Sequence, residues 1–184
     1  NGKNDLENKI VKFIGDPQKR IEEDYLRIIR FIRFKIMYNL KVEATTIKAI
    51  KLNLNGIKKI SKERILTELY KILDLNNFIN INESIDLKEI FTLIFPEFKN
   101  LKRLEKLTKI CDYSQVNRRL LLAVLLIDDD STHEYFSHKY NVSNNIKEYL
   151  NSLAENLKLI KENNDFLNKD LEKNIYLNDK NYLI

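Results

Sequence analysis

Residues 20–34 hold the densest set of chemically useful side chains in the sequence. At about 100° per residue a helix through this stretch puts Ile21, Tyr25, Ile28, Ile29, Ile32 and Ile36 on one side. Arg20, Glu23, Asp24, Arg27, Arg30, Phe31 and Phe34 fall on the opposite arc. Arg27 with Arg30, and Arg30 with Arg33, are like-charge neighbours one turn apart, mildly unfavourable on their own, so something negative should offset them. Two readings share the spacing. In one, the helix packs on both sides and Asp24–Arg27 is an intrahelical ion pair worth a few tenths of a kcal/mol. In the other, the carboxylate and the guanidinium form an acceptor beside a fork of donors. Cytosine and adenine both offer an amino donor next to a ring-nitrogen acceptor, which matches that pair. Guanine and uracil present the reverse and would leave both contacts unmade, a difference worth several kcal/mol in a favourable site. Arg30 and Arg33 would then hold a triphosphate or an RNA phosphate, which suits the guanidinium fork.

The elements that position this segment follow from the apolar spacing. A short first element, with Leu6, Ile10, Phe13 and Ile14, ends at Gly15. Asp16-Pro17 opens a second helix, with the aspartate as cap and the proline in the first turn, and no breaker interrupts it before about Asn39. A third is expected from Glu43 to about Leu54, and a fourth from Ser61 to Leu73 with Ile65, Leu66, Leu69, Ile72 and Leu73 inward. The Asn-rich stretch 76–82 is the best candidate linker. Beyond it, helices are expected at about Leu87–Phe95, Leu101–Ile110, Gln115–Ile127, Thr132–Tyr140 and Ser143–Ile160, followed by a polar tail expected to be poorly ordered.

Composition sets the class. The sequence has 184 residues, 32 Lys+Arg and 27 Asp+Glu, for a net charge of +5. Only 3 Gly and 2 Pro are present, too few for the turns of a sandwich, barrel or doubly wound sheet, and no Gly-rich phosphate loop can be assembled. The expected fold class is all-α. The lone Cys111, with His133 and His138 five residues apart, supports neither a disulfide nor a zinc site, and the expected compartment is reducing and cytoplasmic. The longest apolar run, Leu120 to Ile127, is far short of the ~20 residues that span a bilayer, so no membrane partner is expected. Basic residues concentrate in the first part: residues 1–75 are net +7 and residues 76–184 net −2, which suggests a polyanion at one end. The sequence starts with Asn, and its single methionine is Met37; a piece of a longer protein is expected.

The stretch from Glu23 to Phe34 resembles the Glu-Asp-x-x-Arg motif and following Arg-x-x-Arg-Phe of the class II tRNA nucleotidyltransferases, the family of CCA-adding enzymes and related bacterial poly(A) polymerases. The resemblance extends outward. Asn1-Gly2 with Asp5-Leu6 is similar to the end of a Gly-x-x-Asp-Leu segment, and Ile14-Gly15-Asp16-Pro17 to Val-Gly-Asp-Pro. Ile60-Ser61-Lys62-Glu63-Arg64-Ile65, then Glu68-Leu69, is similar to the Ser-x-Glu-Arg-Ile segment of the family's neck. It covers residues 1–75 well, and residues 76–184 are compatible with the family's helical body.

The resemblance implies a neck domain over 1–75 and a helical body, truncated, over 76–184. It implies addition of CCA to tRNA 3′ ends from CTP and ATP, with poly(A) addition as the alternative within the family; a non-enzymatic helical RNA-binding module is the alternative outside it. Asp24 and Arg27 would pair with the incoming base and Glu23 would orient them. Arg30 and Arg33 would contact nucleotide or primer. Tyr25 is given no role. Ser61, Glu63 and Arg64 are expected to brace the helix, with Arg64, Arg118 and Arg119 as candidate RNA contacts. In the family a head domain binds two Mg²⁺ through a Gly-Ser and paired-aspartate motif, which this sequence lacks. Asp128-Asp129-Asp130 contains an Asp-x-Asp but follows an apolar run with no Gly-Ser upstream, and reads as the polar end of a buried helix. No catalytic residue and no metal ligand is therefore expected in the fragment, which alone should be inactive.

Overall fold

The computed structural model describes residue 5 and residues 7–162; the expectations for Asn1, Gly2, Leu6 and the tail after Glu162 lie outside them. Helices dominate, as the scarcity of Gly and Pro requires. The described residues add one detail: β1 (Ile10–Val11) and β2 (Lys41–Val42) form a minimal parallel pair, Ile10 opposite Lys41 and Val11 opposite Val42.

The long second helix is broken. Helix α1 spans Pro17–Glu23 and α2 spans Leu26–Tyr38, with Asp24 in an extended conformation between them. Asp16 opens α1 as expected, its Oδ1 accepting the N–H groups of Gln18 and Lys19. Three acidic residues in a row, Glu22-Glu23-Asp24, are poorly placed at a helix C-terminus and well placed before the next N-terminus. Asp24 takes the second option: its Oδ1 accepts the Leu26 N–H at 3.1 Å and its carbonyl accepts the Arg27 N–H at 3.0 Å. A short polar side chain that bonds its own backbone two residues on competes with helix continuation. Here it wins.

The break lets α1 pack on α3 (Ala44–Asn53) while α2 packs on α4 (Lys62–Leu73). Ser61 caps α4, its Oγ accepting the Arg64 N–H. Ile21, Ile28, Ile29, Ile32, Ile50, Leu69 and Ile72 are fully buried between these helices. Phe31, expected on the polar arc, is also buried, because Phe13 from the segment after β1 stacks on it at 5.4 Å. Ile14, at the end of the short first element, is exposed.

A 3₁₀ turn at Leu54–Lys59 follows α3 and brings Gly56 under the Tyr25 ring. A Cβ at Gly56 would lie 2.0 Å from Tyr25 Cε1 and 2.1 Å from Cδ1, so this glycine is required by close approach of a ring. Lys59 Nζ stands 5.5 Å from the same ring's centroid.

The stretch expected to be a linker is packed. It forms a 3₁₀ turn, Phe78–Glu83, with Phe78 and Ile81 fully buried. Phe78 meets Phe91, and Phe91 meets Phe95 and Phe98, at centroid separations of 5.7, 5.0 and 5.5 Å. Each such pair is worth roughly 0.5–1.5 kcal/mol beyond its burial. Phe91 belongs to α5 (Ile85–Ile94), which Ser84 caps at the Leu87 N–H. Asn77 Nδ2 donates to the Ile36 carbonyl at the end of α2, an acceptor that the Asn39 N–H also reaches at 3.3 Å. α6 (Arg103–Ile110) follows, and residues 1–118 together form one compact unit.

The second unit, residues 119–184, is described through α7 (Arg118–Leu126), α8 (Thr132–Lys139) and α9 (Asn144–Glu162), the last two packed together. Asp128 opens α8: its Oδ1 accepts the Thr132 N–H at 3.0 Å and its Oδ2 the Thr132 hydroxyl at 2.7 Å. Asp129 pairs with Lys161 at 2.7 Å. These bonds make the aspartate triplet a helix entry. No helix among the described residues is long and apolar enough to cross a membrane.

Two stability predictions follow from the packing. Gly56→Ala should displace the Tyr25 ring and cost about 1–3 kcal/mol, read as a lowered unfolding midpoint. Combined with Tyr25→Ala it should cost less than the two single changes added; strict additivity would contradict the contact. In the second unit, burial pushes the His133 imidazole pKa down, with Glu134 and Asp128 opposing. The folded state therefore favours neutral His133, and the unfolded chain takes up the proton first as pH falls below about 6.5. Stability should decline from there until the lower, folded-state value is passed. His133→Gln should flatten this part of a melting-temperature profile against pH; an unchanged slope would contradict it.

Candidate functional site

The break between α1 and α2 sets the geometry of the polar residues. Asp24 and Arg27 lie on either side of the first turn of α2, joined through the backbone by the Arg27 N–H to Asp24 carbonyl bond. Their side chains are 28% and 29% exposed, neither turned into the core nor fully in solvent. They do not pair with each other. Arg27 Nη1 donates to Glu23 Oε2 at 2.6 Å and to the Arg20 carbonyl at 2.6 Å. Arg20 reaches the same Glu23 oxygen at 2.6 Å. Arg27 and then Arg20 hold the Glu23 carboxyl below the usual carboxylate range. Glu23 thus clamps the arginine from the end of α1. The Arg20 carbonyl, one of the acceptors that the last turn of a helix leaves over, clamps it a second time.

Asp24 is held from α4. Arg64 Nη2 lies 3.2 Å from its Oδ2 and 3.4 Å from its Oδ1. Since Oδ1 already accepts the Leu26 N–H, Oδ2 is the oxygen whose bonding depends on Arg64. The bracing position expected of Arg64 is the one observed. Tyr25, given no role in the sequence, fixes the junction itself by seating its ring on Gly56.

The offset for the arginine row is Glu68 on the inner side of α4. Its side chain is only 3% exposed, and three cations surround it. Arg30 Nε donates to Oε1 at 3.4 Å and Lys71 Nζ to the same oxygen at 3.0 Å. Arg33 Nη1 stands 2.9 Å from Oε2, close enough for an ion pair but out of line for a hydrogen bond, so that oxygen receives none. The sequence does carry a signal for Glu68: it interrupts the apolar spacing of Ile65, Leu69 and Ile72, on the face that packs against α2. Three cations on one carboxylate leave an excess of positive charge at the surface.

The remaining sequence candidates lie elsewhere. Arg118 is engaged within its own unit, Nε and Nη2 forming a two-pronged contact with Asp74, and its guanidinium 4.4 Å from the Tyr70 ring centroid. Arg119, in the second unit, is exposed. Among the described residues no group of three or more His, Cys, Asp or Glu is placed to hold a metal ion.

Comparison with known proteins bears on this arrangement. A family model described as "Probable RNA and SrmB- binding site of polymerase A" matches residues 39–102. Human CCA tRNA nucleotidyltransferase 1, mitochondrial, is 37% identical over 142 residues, which is 72% of this chain and 32% of that protein. The CCA-adding enzyme of Pediococcus pentosaceus is 47% identical over 72 residues, 39% of this chain and 18% of that one. The chain thus spans about a third or less of the length of these curated relatives. A CCA-adding enzyme solved in complex with ATP shares the fold over 99% of this chain and 47% of its own, with a TM-score of 0.68 at 19% identity. The Thermotoga maritima CCA-adding enzyme complexed with tRNA matches over 88% of this chain and 43% of its own, with a TM-score of 0.63 at 20% identity. Motif order, helical architecture and these relatives agree, and the chain belongs to the CCA-adding, class II nucleotidyltransferase family.

Proposed function

We propose that the chain is the base-selecting and RNA-binding part of a template-independent nucleotidyltransferase that adds CCA to tRNA 3′ ends from CTP and ATP. Residues 1–75 act as its neck and residues 76–184 as its helical body. The observation that carries the reading is the pair at the start of α2. Asp24 and Arg27 stand half-exposed one turn apart, each steadied by a protein partner that is not the other. Arg27 spends one nitrogen, Nη1, on both of its contacts, so among the described residues Nε and Nη2 remain to donate to a ring nitrogen or O2 of a base. Asp24 Oδ2 is committed only to Arg64, itself half-exposed, and a base amino group can take that place. Glu23 orients Arg27. Arg30 and Arg33 contact the nucleotide or the primer.

Two charge-assisted bonds of about 1.5–3 kcal/mol each would be formed by cytosine or adenine and lost by uracil or guanine. Arg119 offers the RNA an exposed cation. Arg118 has only Nη1 beyond its contact with Asp74, whereas Arg64 meets Asp24 through Nη2 alone and keeps Nε and Nη1 for RNA. The reaction of this family uses Mg²⁺, for which the described residues do not fit: Asp128 is spent on capping and Asp129 on Lys161. The metal and the group transfer belong to residues outside those described. A second reading, poly(A) addition, draws on the family model for polymerase A matched over 39–102.

Asp24→Asn in the full-length protein is the informative change, because the amide oxygen can still cap Leu26 while the amide nitrogen replaces the acceptor facing the base. Preference for CTP over UTP should fall by about 100-fold or more, with tRNA affinity largely retained; Arg27→Ala should act in the same direction. Unchanged selection would overturn the assignment. Offered CTP and ATP with a tRNA lacking its 3′ end, the wild type should complete CCA; long A-tails from ATP alone would favour the second reading.

A further inference from the structure

Tyr25 stands between the two polar residues of the site: it follows Asp24 and opens α2 two residues before Arg27. It gives the helix no side-chain cap. Its ring is seated on Gly56, buried in the 3₁₀ turn Leu54–Lys59, and Lys59 of the same turn stands over it. Gly56 has a φ outside the left-handed region, so space, and not backbone conformation, demands a glycine there. Both contacts are made by the ring. The polar contacts fix the junction less firmly. The Arg64–Asp24 contacts are 3.2 and 3.4 Å long and come from a side chain 52% exposed. The Glu23 carboxylate that holds Arg27 is 48% exposed. Exposed ion pairs of this kind contribute little and are screened by salt, whereas a ring packed on backbone is not. Two hydrogen bonds to one base need donor and acceptor held within about 0.5 Å. The firm anchor that can hold Asp24 and Arg27 to that tolerance is the ring between them.

We propose that Tyr25 is a positioning residue that sets base choice without touching the base, and that Gly56 is its seat. This rests on the reading of Asp24 and Arg27 as the base-selecting pair and adds where their geometry comes from. With the ring on Gly56, the chain leaves α1 extended at Asp24 and enters α2 in one fixed direction. With the ring lifted, Asp24 Oδ1 can still cap Leu26, but carboxylate and guanidinium move relative to each other. The contacts that favour cytosine then lose their alignment, and the penalty against uracil shrinks. The flat ring carries this role and the hydroxyl does not.

The test uses the full-length protein with Tyr25→Leu, Tyr25→Phe and Gly56→Ala. For each, kcat/KM is measured for CTP and UTP, with KM for a tRNA lacking its 3′ end and the unfolding temperature, all assays run well below unfolding. Phe98→Leu, in the phenylalanine cluster around Phe91, controls for loss of stability alone. Tyr25→Leu and Gly56→Ala should lower the CTP-to-UTP preference by about tenfold, the cost of a small misplacement, with the tRNA KM within about twofold. Tyr25→Phe, which keeps the ring, should restore the preference. Phe98→Leu should lower the unfolding temperature and leave the preference unchanged. If Gly56→Ala fails to fold, the contrast of Tyr25→Leu with Tyr25→Phe decides. Three results would overturn the proposal: a preference kept in Tyr25→Leu, an equal loss in Phe98→Leu, or an equal loss in Tyr25→Phe, which would assign the hydroxyl to the substrate. Preference lost in Asp24→Asn but kept in Tyr25→Leu overturns this proposal alone. Preference kept in Asp24→Asn overturns the base-selecting pair, and this proposal with it.

Discussion

The structure depends on one carboxylate leaving a helix. Had residues 17–38 formed a single rod, Asp24 would project from mid-helix with its side chain free to pair with Arg27. Instead its Oδ1 caps Leu26, its own backbone turns extended, and α1 and α2 follow separate paths onto α3 and α4. Everything polar at the site follows from that. Glu23 becomes the last residue of one helix and reaches forward to Arg27 on the next. Arg20 contributes a leftover carbonyl. Asp24 Oδ2 points to α4, where Arg64 meets it. A capping bond of this kind is worth about 1 kcal/mol in stability; its larger consequence is to separate two opposite charges that would otherwise neutralise each other.

The second constraint is Glu68. Arginines at i and i+3 repel weakly in water and more strongly when packed. Burying one carboxylate between α4 and the arginine row turns that repulsion into an anchor for α2. Buried charge is costly unless paired. The pairing is complete for Oε1, which accepts from Arg30 and Lys71, and looser for Oε2. Phe13 on Phe31 covers another part of α2, and Asn77 closes its end. The helix is held from several directions.

Much of this was legible in the sequence, and the exceptions have physical causes. The caps at Asp16 and Ser61, and the inward residues Ile65, Leu69 and Ile72, follow from local rules that the structure obeys. The break at Asp24 was missed because no Gly or Pro marks it; the signal was the three acidic residues in a row, read as site chemistry and not as a helix end. Phe31 looked polar-facing because a helical wheel knows nothing of Phe13, which arrives from outside the helix. The 76–82 stretch looked like a linker because its asparagines hide Phe78 and Ile81. Tyr25 had no evident purpose until Gly56, distant in sequence, was seen beneath its ring. Arg64 was legible as a brace, whereas the partner of Arg118, Asp74, was not, since nothing in the spacing links residues 44 apart.

The most direct test of the central claim is a structure of the full-length protein with CTP bound. The account predicts that Arg64 gives up Asp24 Oδ2 to the cytosine amino group, that Arg27 donates to N3 or O2 while keeping Glu23, and that both base contacts are of hydrogen-bond length. A bound CTP whose base lies away from residues 24–27, with Asp24 still paired to Arg64, would contradict it.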